Sequence, residues 1–287
     1  MIDLEQRSTP HRPRKRFGQH FLHDKGVLDR IVRAIHPQRG DALVEIGPGE
    51  GALTNVLLRE WLSFEVDQPR PLPAMVIAPA PSVSHDNASA TIDNPATSAR
   101  SSAVLSNDPK LSDQVVLHDR LDIIEIDRDL VARLRQHPAA TTDHMRVHEC
   151  DALDFDFEAL AARRGKRLRV VGNLPYNIST PLIAHLLDQS SAWTDAHFLL
   201  QREVVDRLTA TPGGGHYGRL AVLVALHGKA TRLFDIGPSA FRPPPKVESA
   251  VVRIQLDDQP KLAASQRERL LDIAKDAFGQ RRKTISR

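Results

Sequence analysis

Short apolar runs recur at 42–46, 121–126, 169–172 and 197–200, and between them 51–58, 129–135 and 180–187 carry apolar side chains at helical spacing. Strands that alternate with helices predict an α/β fold with a parallel, doubly wound sheet. Two more strands, at 229–236 and 251–254, flank a proline-rich loop instead of a helix. So short a connection predicts an antiparallel pair at one sheet edge. Beyond Leu256, residues 266–278 read as one amphipathic helix with Leu270, Ile273, Ala274 and Ala277 on a face.

The pattern fails between Arg59 and Leu121. Residues 61–120 hold seven prolines, nine serines and no glycine, and sustain neither the strand period nor the helix period. This composition predicts a disordered insertion, since a folded module would need more large apolar residues to form a core. The chain's 287 residues suffice for one sizeable α/β core with a small appendage.

Charge refines that outline. The net charge is only +3, yet the 61–120 stretch carries seven acidic and four basic residues, so the remainder is the basic part. Arg12, Arg14, Lys15 and Arg16 cluster near one end and Arg281, Arg282, Lys283 and Arg287 near the other. Such clusters suit a phosphate-binding surface, and equally a pair of solvated termini. A single cysteine, Cys150, rules out an internal disulfide and reads best as a small buried hydrophobe. No apolar run reaches the roughly 20 residues of a membrane span, and the polar start lacks the apolar segment of an export signal, so a cytoplasmic protein is expected. None of the thirteen histidines stands at a metal-binding spacing, so no metal site is expected.

The candidate chemistry lies at the ends of the predicted strands. Val44-Glu45-Ile46-Gly47-Pro48-Gly49-Glu50-Gly51 leaves a strand and opens a helix. Glycines there allow a sharp turn and close approach of backbone to a ligand, while the helix N-terminus offers unpaired N–H groups. Alone, the run could be no more than a tight turn. A nucleoside site of this kind also wants an acid at the end of the next strand, roughly 20 residues on, for the ribose hydroxyls. Glu125 has that setting, but lies 76 residues beyond Gly49; setting aside the 60-residue stretch leaves 16. Asp151, after a third strand, is either an acceptor for a cofactor's adenine amine or a loop cap. Together Gly47, Glu125 and Asp151 favour a cofactor, and the lack of G-x-G-x-x-G favours S-adenosylmethionine over a dinucleotide.

Asn173-Leu174-Pro175-Tyr176 ends the fourth strand at the switch point of such a sheet. An exocyclic adenine amine is a poor nucleophile because its lone pair is delocalised into the ring. Two acceptors, the Asn173 side-chain oxygen and the Leu174 carbonyl, could turn that lone pair toward a sulfonium methyl. Pro175 would stiffen the backbone and Tyr176 would stack the base. A simple turn with a half-buried tyrosine is the rival reading. Phe241-Arg242-Pro243-Pro244-Pro245-Lys246 could hold Phe241 against the other face of the base, with Arg242 and Lys246 toward phosphate, or could be a proline-rich ligand for another protein.

RKRFGQHFL from Arg14, VEIGPGEGALT, IIEIDRDL, GNLPYNISTPL, FRPPPKVESAVVR and QRRKTI, in that order, closely resemble the bacterial small-subunit ribosomal RNA adenine dimethyltransferases. The resemblance spans nearly all of 14–60 and 121–285. It implies a Rossmann-like, seven-stranded methyltransferase sheet at 17–256, interrupted by 61–120, after a basic arm at 1–16. A small helical RNA-docking domain begins at 257–287 and is expected to be truncated, since relatives continue through further helices. The implied reaction converts two adjacent adenosines near the 3′ end of small-subunit RNA to N6,N6-dimethyladenosine, late in ribosome assembly. The implied cofactor positions are His20, Leu22, Gly47, Glu125, Asp151 and Asn173; Asn173, Leu174, Tyr176 and Phe241 would serve the target base. Small-subunit ribosomal RNA in a 30S assembly intermediate is the expected partner, met by a monomer without membrane or metal. Two features depart from the family pattern: His20 replaces its usual asparagine, and the insertion is foreign to it. The rival functions are a large-subunit adenine methyltransferase, which usually carries phenylalanine at the Tyr176 position, and a non-catalytic assembly factor.

Overall fold

The computed structural model describes residues 20–66, 120–259 and 262–279. The basic arm at 1–16, the cluster at 281–287 and all of 67–119 lie outside them. The chain enters as a two-residue strand, β1 (Phe21–Leu22), followed by helix α1 (Lys25–Ile35). This helix was not among the expected elements, although its signals are ordinary. The Asp24 side chain caps its first turn by accepting from the Val27 N–H at 3.0 Å, and Leu28, Ile31, Val32 and Ile35 bury one face.

The central strands are β2 (Ala42–Ile46), β3 (Leu121–Glu125), β4 (Met145–Glu149), β5 (Leu168–Asn173) and β6 (Trp193–Gln201), all mutually parallel. Helices α2 (Ala52–Val66), α3 (Arg128–Arg135), α4 (Pro138–Thr141), α5 (Phe157–Arg164) and α6 (Ser179–Asp188) connect them. After β6 come α7 (Arg202–Leu208), α8 (Arg219–Ala225), β7 (Gly228–Ile236), the two-residue β8 (Phe241–Arg242), β9 (Ser249–Leu256) and α9 (Ala264–Gly279). The seven-stranded sheet runs β4-β3-β2-β5-β6-β9-β7, with β9 antiparallel to both neighbours. It is the expected mostly parallel, Rossmann-like sheet with an antiparallel edge.

Each face of the sheet is covered. One core joins Leu28, Ile31, Leu53, Leu57 and their neighbours on α1 and α2 to the sheet; the other joins it to Phe157, Leu182, Leu186 and Val205 on α5, α6 and α7. The chain builds outward from β2 to β4 and then crosses to β5 on the other side of β2. That reversal opens a crevice above the carboxyl ends of β2 and β5. Gly172 permits the two strands to meet, because a Cβ there would sit 2.6 Å from the Ile46 carbonyl oxygen.

Two expectations are corrected. Helix α2 continues through 61–66, and Arg120 is buried, its guanidinium 3.0 Å from Asp143 and its carbonyl accepting from Arg164 at 2.7 Å. Both ends of the 61–120 stretch are therefore part of the fold. Helix α9 also turns a different face inward from the one expected. Ala274 is buried, Leu271 packs against the core and Phe278 meets Tyr217 edge-on at 5.8 Å, whereas Leu270, Ile273 and Ala277 are exposed. Two apolar stripes lie one residue apart on this helix, and contact with α8 selects the other one.

Candidate active site

The crevice opens into a cavity of about 1010 Å³, at the upper end of the range for small-molecule sites and roomy enough for a cofactor beside a base. Its floor is the turn after β2. Gly49 has φ 60°, and a side chain there would also drive into the Phe21 ring at 2.9 Å. Glu125, at the end of β3, ties this turn together. Its carboxylate accepts from the N–H groups of Ile126 and Asp127, each at 2.9 Å, and of Gly49 at 3.4 Å. Burial raises the Glu125 pKa, and those three N–H groups oppose the rise. A carboxylate has about four acceptor sites, so one remains for a hydroxyl entering the cavity.

Asp151 lies just after β4, and one of its oxygens accepts from the Leu153 N–H at 2.9 Å. The cap reading of Asp151 is thus part of the geometry, and the second oxygen remains for the cavity that Asp151 lines. Cys150 beside it is half-buried, and burial with Asp151 and Asp154 pushes its thiol pKa up, away from nucleophilic chemistry.

At the end of β5 the Asn173 side chain donates from Nδ2 to the His20 carbonyl at 3.0 Å. A carbonyl only accepts, so this bond orients the amide and leaves Oδ1 as the acceptor. The neighbouring Leu174 side chain is buried while its N–H is held by the Leu199 carbonyl at 3.2 Å, which fixes the Asn173–Leu174 peptide that precedes its own carbonyl. Tyr176 is anchored through its hydroxyl to Ser249 on β9 at 2.8 Å. Burial raises the Tyr176 pKa, with the Ser249 bond opposing, so the ring stays a neutral phenol.

His20, Leu22, Gly47, Glu125, Asp151, Asn173, Leu174 and Tyr176 all line this one cavity. Phe241 does not. It is 2% exposed, packed with Leu22, Leu43, Val171 and Val251, and paired in register with Leu22 across β1 and β8. The position alternates with Arg242 along a strand, and the apolar ring takes the core side while Arg242 and Pro243 take the cavity side. Phe241 thus supports the cavity wall from behind instead of offering a face to a base.

One cavity residue escaped the sequence reading. Glu45 is buried within β2, its carboxyl accepting from the Thr54 hydroxyl at 2.7 Å. Burial pushes its pKa up to about 7, helped by the nearby Glu125 and opposed by Thr54. A glutamate inside an otherwise apolar strand was the available signal, since an acid there needs a reason.

Comparison with known proteins identifies relatives of this chain and of its fold. The sequence profile of the ribosomal RNA adenine dimethylase family matches residues 10–68 and 110–287. The chain is 43% identical over 275 residues to ribosomal RNA small subunit methyltransferase A of Pseudomonas aeruginosa, covering 96% of this chain and 81% of that protein. It is 44% identical to the protein of the same name from Alcanivorax borkumensis, covering 96% and 77%. Among solved structures, a dimethyladenosine transferase from Plasmodium falciparum superposes with TM-score 0.63 at 23% identity, over 93% of this chain and 73% of that one. The 23S rRNA methyltransferase ErmE superposes with TM-score 0.59 at 20% identity, over 91% and 79%, and both share the fold.

Proposed function

The chain belongs to the ribosomal RNA adenine dimethylase family, and from that premise we propose that it dimethylates N6 of two adjacent adenosines near the 3′ end of small-subunit ribosomal RNA. The substrate on this reading is a 30S assembly intermediate, and the protein acts on it as a monomer. S-adenosylmethionine, the methyl donor, supplies an electrophilic methyl on a sulfonium whose thioether is a good leaving group. The protein's contribution is therefore position and electrostatics, with no nucleophile of its own.

The observation that carries this reading is the orientation of Asn173. With Nδ2 held by the His20 carbonyl, Oδ1 is presented as an acceptor beside the Leu174 carbonyl. An adenine amine that donates its two N–H bonds to these oxygens has its lone pair turned out of conjugation. That lone pair would then take the methyl that bound S-adenosylmethionine supplies, releasing its thioether, and the amine's proton would pass to water. Glu125 and Asp151 stand where a ribose and an adenine amine of the cofactor would find acceptors. Arg242, exposed at the cavity rim, suits the phosphates flanking the target base.

Methylation of under-methylated 30S particles tests the proposal. Wild-type protein is expected to yield dimethyladenosine in small-subunit RNA, and Asn173→Ala to lower turnover roughly 100- to 1000-fold while still binding the particle, the usual cost of losing one transition-state acceptor or donor. Product confined to large-subunit RNA would move the substrate to the other subunit. Binding by the wild type without any methyl transfer would leave an assembly factor.

A further inference from the structure

Ile126, Val247, Leu270 and Ile273 are the large apolar side chains that stand exposed among the described residues. Ile126 lines the cavity, and Leu270 and Ile273 lie a turn apart on α9. Val247, 45% exposed, stands apart from them on the loop between β8 and β9. One exposed apolar residue is ordinary on any protein surface. This one differs in its footing and its neighbours. Pro245 is buried, and Glu248 is held twice by Arg202, its carbonyl accepting from the Arg202 N–H at 2.9 Å and its carboxylate paired with the guanidinium. Only Lys246 and Val247 lie between these anchors, so neither can fold back into the core without breaking one. The loop also frames the cavity: Arg242 and Pro243 line it, and Ser249 at the other end bonds Tyr176 at 2.8 Å. Two residues of extended chain span at most about 7 Å, so Val247 stands beside the mouth. Its neighbours are cationic. Arg242 and Lys246 are exposed, Lys246 in no ion pair among the described residues, while the carboxylate of Glu248 is already neutralised by Arg202.

We propose that Val247 is a wedge that packs against the base next to the target adenine in the RNA strand, with Arg242 and Lys246 on the phosphates to either side. This rests on the adenine-methylation reading above. An adenine that enters the cavity leaves its stack, and its neighbour loses a stacking surface. An apolar side chain laid on the neighbour's bared face offsets part of that loss and keeps the gap from closing. Valine suits the task because its branched Cβ leaves χ1 little freedom, and the anchored loop leaves the backbone little more. The flanking cations name the partner, since an apolar contact between two phosphate-seeking side chains matches a base between two phosphates.

The test uses the full chain saturated with S-adenosylhomocysteine and an RNA hairpin whose loop carries two adjacent adenosines, with 2-aminopurine immediately before or immediately after them. This probe brightens when it loses a stacking neighbour, and valine does not quench it. Wild type is expected to brighten one of the two probes. Val247→Ala, which removes two methyl groups from the contact, should lose most of that increase and weaken hairpin binding roughly 3- to 15-fold. Val247→Ile should keep both, and Val247→Thr, of the same shape with a hydroxyl, should resemble Val247→Ala. Lys246→Gln should lower the slope of log affinity against log salt by about one, whereas Val247→Ala leaves that slope unchanged. On 30S particles Val247→Ala should raise KM by a factor similar to its loss of hairpin affinity, with a smaller change in kcat. A wild type that brightens neither probe, or a Val247→Ala variant that binds and brightens as wild type does, overturns the assignment. So does a 30S affinity that falls while hairpin affinity holds, which makes Val247 a contact for a ribosomal protein. An equal loss of S-adenosylmethionine affinity by calorimetry means general damage and overturns it too. Because brightening needs no turnover, failure of the wedge and failure of methyl transfer are read separately.

Discussion

The hydroxyl of Tyr176 and its ring have separable duties. The hydroxyl meets Ser249 at 2.8 Å and sets where the ring stands, while on the proposed reading the ring supplies the surface on which a base lies. Removing only the hydroxyl forfeits one part-buried hydrogen bond, a loss of about 0.5–1.5 kcal/mol. Removing the ring forfeits base stacking as well, about 1–3 kcal/mol. Tyr176→Phe is therefore expected to keep kcat/KM for 30S particles within about tenfold of wild type, and Tyr176→Ala to fall further, chiefly through KM. Steady-state kinetics on the two variants decides it; equal and small effects would mean that Tyr176 only closes a turn. Ser249 enters this argument solely through the structure. Nothing in Glu248-Ser249-Ala250 foretells that its side chain would meet Tyr176, 73 residues away in sequence.

Elements were more legible than contacts. The strands at the heart of the sheet announce themselves as unbroken apolar runs because a parallel sheet is buried on both faces, and β2 spans the expected 42–46. The glycine-rich turn and Asn173-Leu174-Pro175-Tyr176 were legible for a related reason: backbone that must turn sharply at a strand end is restricted to few residue types. Side-chain direction was harder. Phe241 heads a motif whose neighbours Arg242 and Pro243 do line the cavity, yet its own ring faces the core. On α9, an apolar arc wide enough for two overlapping stripes, one through Leu270 and Ile273 and one through Leu271 and Phe278, gives no unique inward face until α8 is in place. The long stretch after α2 was recognisable by composition, and the family profile leaves 69–109 unmatched. Its geometry gives an expectation. The chain leaves α2 and returns at Leu121, the start of β3, whereas the cavity sits at the strands' carboxyl ends beside Gly47, Glu125 and Asn173. Deleting 69–109 should thus leave S-adenosylmethionine affinity within about threefold of wild type, since shortening a long connection changes closure entropy little. Calorimetry that found the site abolished would place that segment at the cavity.

Across the whole molecule two buried groups, on different strands, set opposing pH dependences. His197 on β6 is driven down to about 4 by burial, with Asp195 opposing and Arg169 and Arg253 adding to the fall. Between pH 4 and its ordinary value of 6.5 the unfolded chain holds a proton there that the folded chain lacks, so stability falls as pH falls. Glu45 behaves in the opposite sense. Between its ordinary 4.5 and about 7 the folded chain holds a proton that the unfolded chain has lost, so stability falls as pH rises. Each one-proton difference has a slope of about 1.4 kcal/mol per pH unit, and the two cancel between roughly pH 4.5 and 6.5. Glu45→Gln removes one member of the pair and keeps an acceptor for the Thr54 hydroxyl. Without cofactor, the variant should gain stability over wild type progressively as pH rises from 4.5 to 7, reaching a difference of about 3 kcal/mol. Every other titrating group is common to both proteins, so the difference between their urea-unfolding free energies reports Glu45 together with its coupling to Glu125. A difference constant over that range would show the Glu45 carboxyl ionising in the folded protein as it does in the unfolded chain.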